Sequence, residues 1–195
     1  MASNEIRVIL ASASPRRREL LERFELPFEI LPAKGEEKAP EGLAPGALVE
    51  RLSEAKAAEI AARVNDPEAV IVAADTIVEL DGAVLGKPGT PDRAREMLDA
   101  LSGRAHRVWS GVTVRRGEAV CTQHECTAVH FRTLTSGEID AYVATGEPLD
   151  KAGAYGYQGL ASLFVERIEG DYFNVVGLPL CRLGQMLERF GIRLL

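Results

Sequence analysis

The sequence is short of cysteine, of long apolar runs and of excess positive charge, and each shortage removes a class of protein. Three cysteines, Cys121, Cys126 and Cys181, are too few and odd in number for a disulfide framework, which leaves free thiols in a reducing compartment. No apolar run approaches the roughly 20 residues a membrane-crossing helix needs. The apolar stretch within MASNEIRVILASASPRRR is also too short for a signal peptide. Acidic residues outnumber basic ones, 29 to 23, for a net charge of -6. That balance argues against nonspecific binding to nucleic acid or an anionic membrane, but it leaves room for a local small-anion site. The expectation is a cytoplasmic protein with no nucleic-acid or membrane partner.

What remains is a chain of 195 residues, 46% hydrophobic, enough for one buried core or for two lobes sharing a cleft. Residues 7 to 11, RVILA, read as a strand, followed by a helix with Ser14 as N-cap and Pro15 at its first position. Residues 32 to 46 carry three Pro and three Gly and read as a loop. A helix from about 47 to 64 is expected to bury Leu48, Leu52 and Ala55, with Lys56 at the edge of that face. VIVAA at 70 to 74 reads as a strand buried on both faces and ending at Asp75. Asp81-Gly82 predicts a hairpin, Thr90-Pro91-Asp92 a helix start, and Gly117-Glu118 a turn between two long strands. Thr135 and Glu138 form a capping-box pattern. The segments 162 to 168 and 172 to 178 are expected to pair as strands before a terminal helix from about 180 to 190. The sum is an α/β protein with a mixed sheet flanked by helices.

Several residues are hard to explain by packing. Arginines 16 to 18 sit at a helix start, where positive charge is unfavourable unless an anion is present. Asp75, after a buried strand, would face the crevice where open α/β sheets bind ligands, or would simply cap the next turn. Lys87 follows GAVLG, a poor copy of a phosphate loop, since Pro88 stands where Ser or Thr is required. The lysine can still meet a phosphate as a point charge. In CTQHECTAVH, two Cys and two His fall within ten residues, but strand alternation turns Cys121 away from His124, Cys126 and His130, so they read as ordinary strand residues.

Six segments in order, LASASPRRRELL, AADTIV, GKP, LSGRAHRV, GEPLDKAGAYGYQG and GDYFNVVGLP, resemble the Maf family, named for inhibition of septum formation. The resemblance spans nearly the whole chain. It implies one domain over residues 1–195, with the two lobes around a central cleft of Maf and inosine triphosphatase-like proteins. It also implies a nucleoside triphosphate pyrophosphatase, with modified pyrimidine nucleotides among its targets, and a homodimer. On this resemblance Asp75 is the general base, and Glu37, Lys56 and Lys87 complete the catalytic set. Ser12, Arg16, Arg17, Thr76, Lys151 and Gln158 bind substrate, and Glu37 with Asp75 holds Mg2+ or Mn2+. Arg16, Thr76 and Gln158 match the branch that takes dTTP and UTP rather than N7-methylguanosine triphosphate. The early loop departs from the family, with Gly35-Glu36-Glu37 where a hydrophobic residue, Asp and Glu are usual. A nucleotide-binding regulator of cell division is the alternative of a different class.

The chemistry agrees with this inventory. A triphosphate carries about four negative charges, and attack at its α-phosphorus needs them neutralised while a water is aligned and deprotonated. Cations and carboxylates must therefore coexist. Uracil and thymine present a carbonyl beside an N–H, which the amide of Gln158 can match with a donor and an acceptor.

Overall fold

The computed structural model describes residues 6–35 and 42–195. Its strands are β1 (Val8–Leu10), β2 (Glu29–Ile30), β3 (Val70–Leu80), β4 (Ala83–Leu85), β5 (Ala105–Arg116), β6 (Ala119–Phe131) and β7 (Val165–Glu169). The helices are α1 (Pro15–Leu21), α2 (Pro45–Val64), α3 (Pro91–Leu101), α4 (Ser136–Ala144), α5 (Tyr172–Val176) and α6 (Leu180–Glu188). The strands form one sheet in the order β2-β1-β3-β5-β6-β7, with β4 paired to β3. Strand β1 runs parallel to β2 and β3, whereas β4 is antiparallel to β3 and β7 to β6, so the sheet is mixed as expected.

The chain divides into two compact units, residues 1–75, 110–125 and 177–195 in the first and 76–109 and 126–176 in the second. In the first unit, Ile9, Ala11, Ala57, Ile60, Ile71 and Ala73 make a core in which α2 lies on β1 and β3. The helix comes very close to β5 at Gly111, where a side-chain methyl would overlap the Val49 carbonyl. In the second unit, Val78 and Leu80 of β3 meet Ala94, Leu98 and Leu101 of α3, Ile139 and Tyr142 of α4, and Phe131 of β6.

Local sequence explains most of these elements. Ser14 caps α1 by accepting from the Arg17 amide, and Thr90 does the same for α3 with Arg93. The Thr135–Glu138 capping box starts α4 as expected. At the β3–β4 hairpin Asp81 and Gly82 have φ of 52° and 84°, the pair of left-handed residues that a type I′ turn requires.

Three expectations fail. Strand β3 does not stop at Asp75 but continues to Leu80, because the carboxylate finds a cationic partner and the following TIVEL is itself rich in strand formers. Helix α2 buries Gly46, Val49, Leu52, Ser53, Ala57 and Ile60, while Leu48 is half-buried and Ala55 exposed. Alanines on all sides of this helix leave little periodicity to read. Residues 172–176 form helix α5 instead of a strand. The Asp171 carboxylate accepts the Phe173 amide at 2.8 Å, and the buried Asn174 amide reaches the Val108 carbonyl at 3.0 Å and the Thr127 hydroxyl at 2.9 Å. These contacts override the strand preference of the apolar run.

Candidate active site

In the first unit, side-chain alternation places Ile71, Ala73 and Asp75 in one row on β3. The first two pack beneath Ala57 and Ile60 of α2, so the third meets the neighbouring Lys56. Lys56 donates to Asp75 Oδ1, and both side chains are largely shielded, at 18% and 8% exposure. Shielding of this kind preserves an electrostatic pair against salt. Lys56 is therefore not a surface lysine lying along the helix; it belongs to Asp75.

Ser12 lies two residues past the β1–β3 register pair Leu10–Val72, and Asp75 lies three past it in the same parallel direction. The Ser12 hydroxyl accepts from the Ser14 amide at 3.2 Å and from Arg17 Nη1 at 3.3 Å. With both acceptor positions used, its own proton is left to donate. Arg17 also donates from Nε to the Gly177 carbonyl at 2.8 Å, so its guanidinium is held in place by this framework. Arg16 is half-buried beside it. Glu36 and Glu37 lie outside the described residues. Just before them, Glu59 accepts the amides of Lys34 and Gly35, each at 2.8 Å, and those bonds hold its carboxyl below the usual range.

The candidates of the second unit sit on backbone-held loops. Lys87 is exposed after β4. Its segment is joined to the loop of Lys151 by the Gly153 amide on the Gly86 carbonyl, 3.1 Å, and by the Gly89 amide on the Leu149 carbonyl, 3.3 Å. Lys151 turns its ammonium to Asp150 and to the Glu147 carbonyl. Gln158 is exposed on the same loop, seven residues on. Thr76 is half-buried, and strand alternation points it to the face of β3 opposite Asp75.

Several residues of this unit escaped the sequence reading. Glu79 is buried, pairs with Arg107 at 3.6 Å and accepts the Gly82 amide at 2.5 Å. His106 Nε2 and the Tyr155 hydroxyl are 2.7 Å apart, with Phe131 edge-on to both rings. Burial, with His130 nearby, pushes the His106 pKa down to about 4. These residues lie in the IVEL, LSGRAHRV and AYG segments, but nothing in the order of residues says which side chains meet.

Among the described residues no group of three or more His, Cys, Asp or Glu side chains converges as a metal site. The four residues of CTQHECTAVH are spread along β6, with His124 bonded to Glu50 at 2.8 Å and Cys121 accepting from Arg189. A cavity of about 540 Å³, lined by Arg7, Leu26, Phe28, Glu29, Ile192 and Arg193 among others, contains none of the candidate residues. No helix among the described residues is long and apolar enough to cross a membrane.

The polar cluster at β1 and β3, with a carboxylate, an ammonium, a hydroxyl and guanidinium groups, has the makings of an anhydride hydrolase site. Comparison with known proteins narrows the class. Residues 7–190 match the Maf-like protein family, and the chain belongs to it. It is 54% identical over 189 residues to the dTTP/UTP pyrophosphatase of Moorella thermoacetica, covering 95% of this chain and 96% of that one. It is 50% identical over 185 residues to the protein of the same name from Bacillus pumilus, covering 95% and 97%. The Ham1 protein of Staphylococcus aureus shares the fold, with a TM-score of 0.53 at 12% identity over 94% of this chain and 98% of that one.

Proposed function

We propose that this chain is a nucleoside triphosphate pyrophosphatase that hydrolyses dTTP and UTP to the monophosphate and pyrophosphate, acting in the cytoplasm on free, including modified, pyrimidine nucleotides. The observation that carries the reading is the shielded pair of Lys56 on α2 with Asp75 in the middle of β3, in a chain about half identical to enzymes named for this activity along nearly their whole length.

Asp75 takes the proton of the attacking water. Oxygen from that water bonds the α-phosphorus, the bond from the α-phosphorus to the bridging oxygen breaks, and pyrophosphate leaves with the electron pair. Lys56 fixes the carboxylate in orientation and adds positive charge near the developing phosphorane oxygens. Ser12 donates to a phosphate oxygen, held by Arg17, and Arg16 and Lys87 offset the remaining charge. Gln158 pairs with the carbonyl and N–H edge of the base, and Lys151 and Thr76 support the substrate around it.

Asp75 is an oxygen donor suited to a hard divalent ion, and Mg2+ is commonly held by one or two carboxylates together with substrate phosphates. Asp75, with Glu37 as second donor, would hold Mg2+ or Mn2+. Such an ion would supply charge neutralisation at the phosphates and a more acidic water.

The test is pyrophosphate release from a panel of nucleoside triphosphates by wild type and Asp75→Asn. We expect dTTP and UTP to be the best substrates, and the variant to lose about 1,000-fold or more in kcat while still binding nucleotide. Preference for N7-methylguanosine triphosphate would overturn the substrate assignment. Binding without turnover in either protein would favour a regulatory role.

A further inference from the structure

The loop that carries Gln158 is tied at both ends to one carboxylate. Glu147 Oε1 accepts from the Tyr142 hydroxyl at 3.0 Å, and that hydroxyl accepts the Gly156 amide at 3.3 Å. Glu147 Oε2 accepts the Leu160 amide at 3.2 Å. Between these anchors the Gly159 amide closes a turn onto the Gly156 carbonyl at 3.0 Å, and Gln158 projects from that turn into solvent. Gly159 lies so close over the carboxylate that a methyl there would overlap it. Tyr142 is itself buried in the core of the second unit, which makes it a firm support.

We infer that Glu147 is a positioning residue for Gln158: by holding Gly156 through Tyr142 and Leu160 directly, it fixes the turn between them and thereby sets the preference for pyrimidine bases. An ionised carboxylate suits the task because both its oxygens accept, and both of its partners here donate. Fixing the turn in the free enzyme removes an ordering cost that binding would otherwise bear, and the gain goes to bases that match the fixed amide. Lys151 begins the same loop, donates to the Glu147 backbone carbonyl and lies beside Gly156, whereas the two anchoring bonds run through the Glu147 carboxylate, which that backbone bond does not involve.

This inference rests on the assignment of Gln158 to the base, and the experiment separates the two. Steady-state kcat and KM are measured for UTP and GTP with wild type, Glu147→Ala, Glu147→Gln, Tyr142→Phe and Gln158→Ala, with thermal unfolding as a check on folding. Glutamine keeps an acceptor for Leu160 and can donate to the Tyr142 hydroxyl, so Glu147→Gln should retain the ratio of UTP to GTP kcat/KM within about twofold. Glu147→Ala should lower that ratio about tenfold or more, mainly through a higher KM for UTP. Should Glu147→Ala fail to fold, Tyr142→Phe, which removes one of the two anchors, should lower the ratio in the same direction. Equal losses for both nucleotides, or an unchanged ratio, would overturn the inference. If Gln158→Ala abolishes the preference and neither Glu147→Ala nor Tyr142→Phe alters it, the positioning role alone falls. If Gln158→Ala leaves the preference intact, the assignment of Gln158 falls and this role with it.

Discussion

The two units hold their functional groups by different means. In the first, charged side chains are fixed by one another and by the sheet: Lys56 on Asp75, and Arg17 on Ser12 and the Gly177 carbonyl. In the second, Lys87, Lys151 and Gln158 stand on loops whose backbone amides are tied down, through Gly86 with Gly153, Gly89 with Leu149 and the bonds to Glu147. The first arrangement suits chemistry that is the same for every nucleotide, since phosphates do not vary. The second, although its Lys87 also serves the phosphates, suits discrimination at Gln158, because loops can be altered without disturbing the sheet.

The sharpest test of this contrast is Lys56→Ala, expected to lower kcat by about 100- to 1,000-fold for every nucleotide tried while leaving their order of preference unchanged. A change of preference in that assay would break the comparison. Acid should separate the units next. An unfolded histidine takes up its proton near pH 6.5, whereas folded His106 does so only near 4, so the unfolded chain binds more protons between those values. Stability is therefore full above pH 6.5 and falls as pH drops toward 4, by on the order of 3 kcal/mol from this group. Unfolding followed from pH 7 to 4 should show a slope that flattens in His106→Phe, and amide exchange should rise first around Tyr155.

A smaller effect is expected at Gly153, which has φ of 67° and whose added methyl would press on Val78. Gly153→Ala should cost about 2 kcal/mol in denaturant unfolding and shift the UTP-to-GTP ratio more than it shifts the rate on the preferred substrate. Smallest is Arg17→Lys, which keeps the charge but loses the fork shared between Ser12 and Gly177. It should reduce kcat/KM by about tenfold, evenly across nucleotides.

Much of this was legible in the amino-acid order where the cause is local. The Ser14, Thr90 and Thr135 caps and the Asp81-Gly82 hairpin depend on a few adjacent residues, and they appear where expected. Reading failed where a distant partner decides. Asp75 does not end its strand because Lys56, nineteen residues away, donates to its carboxylate and balances its charge. The run YFNVV becomes helix because Asn174 is claimed by Val108 and Thr127. Site residues were visible as ordered motifs, but not their division of labour. Arg17 and Lys151 read as substrate-binding and Lys56 as catalytic, but nothing in their order says that Arg17 bonds a serine, that Lys151 turns to its own loop or that Lys56 joins Asp75.

Gly111 contributes no functional group at all, yet its bare backbone sets how far α2 can descend on its neighbours and hence where Lys56 arrives. In a random-mutagenesis screen scored on nucleotide hydrolysis, position 111 should be as intolerant as a catalytic site. An inventory of active residues drawn up from chemistry alone would leave it out.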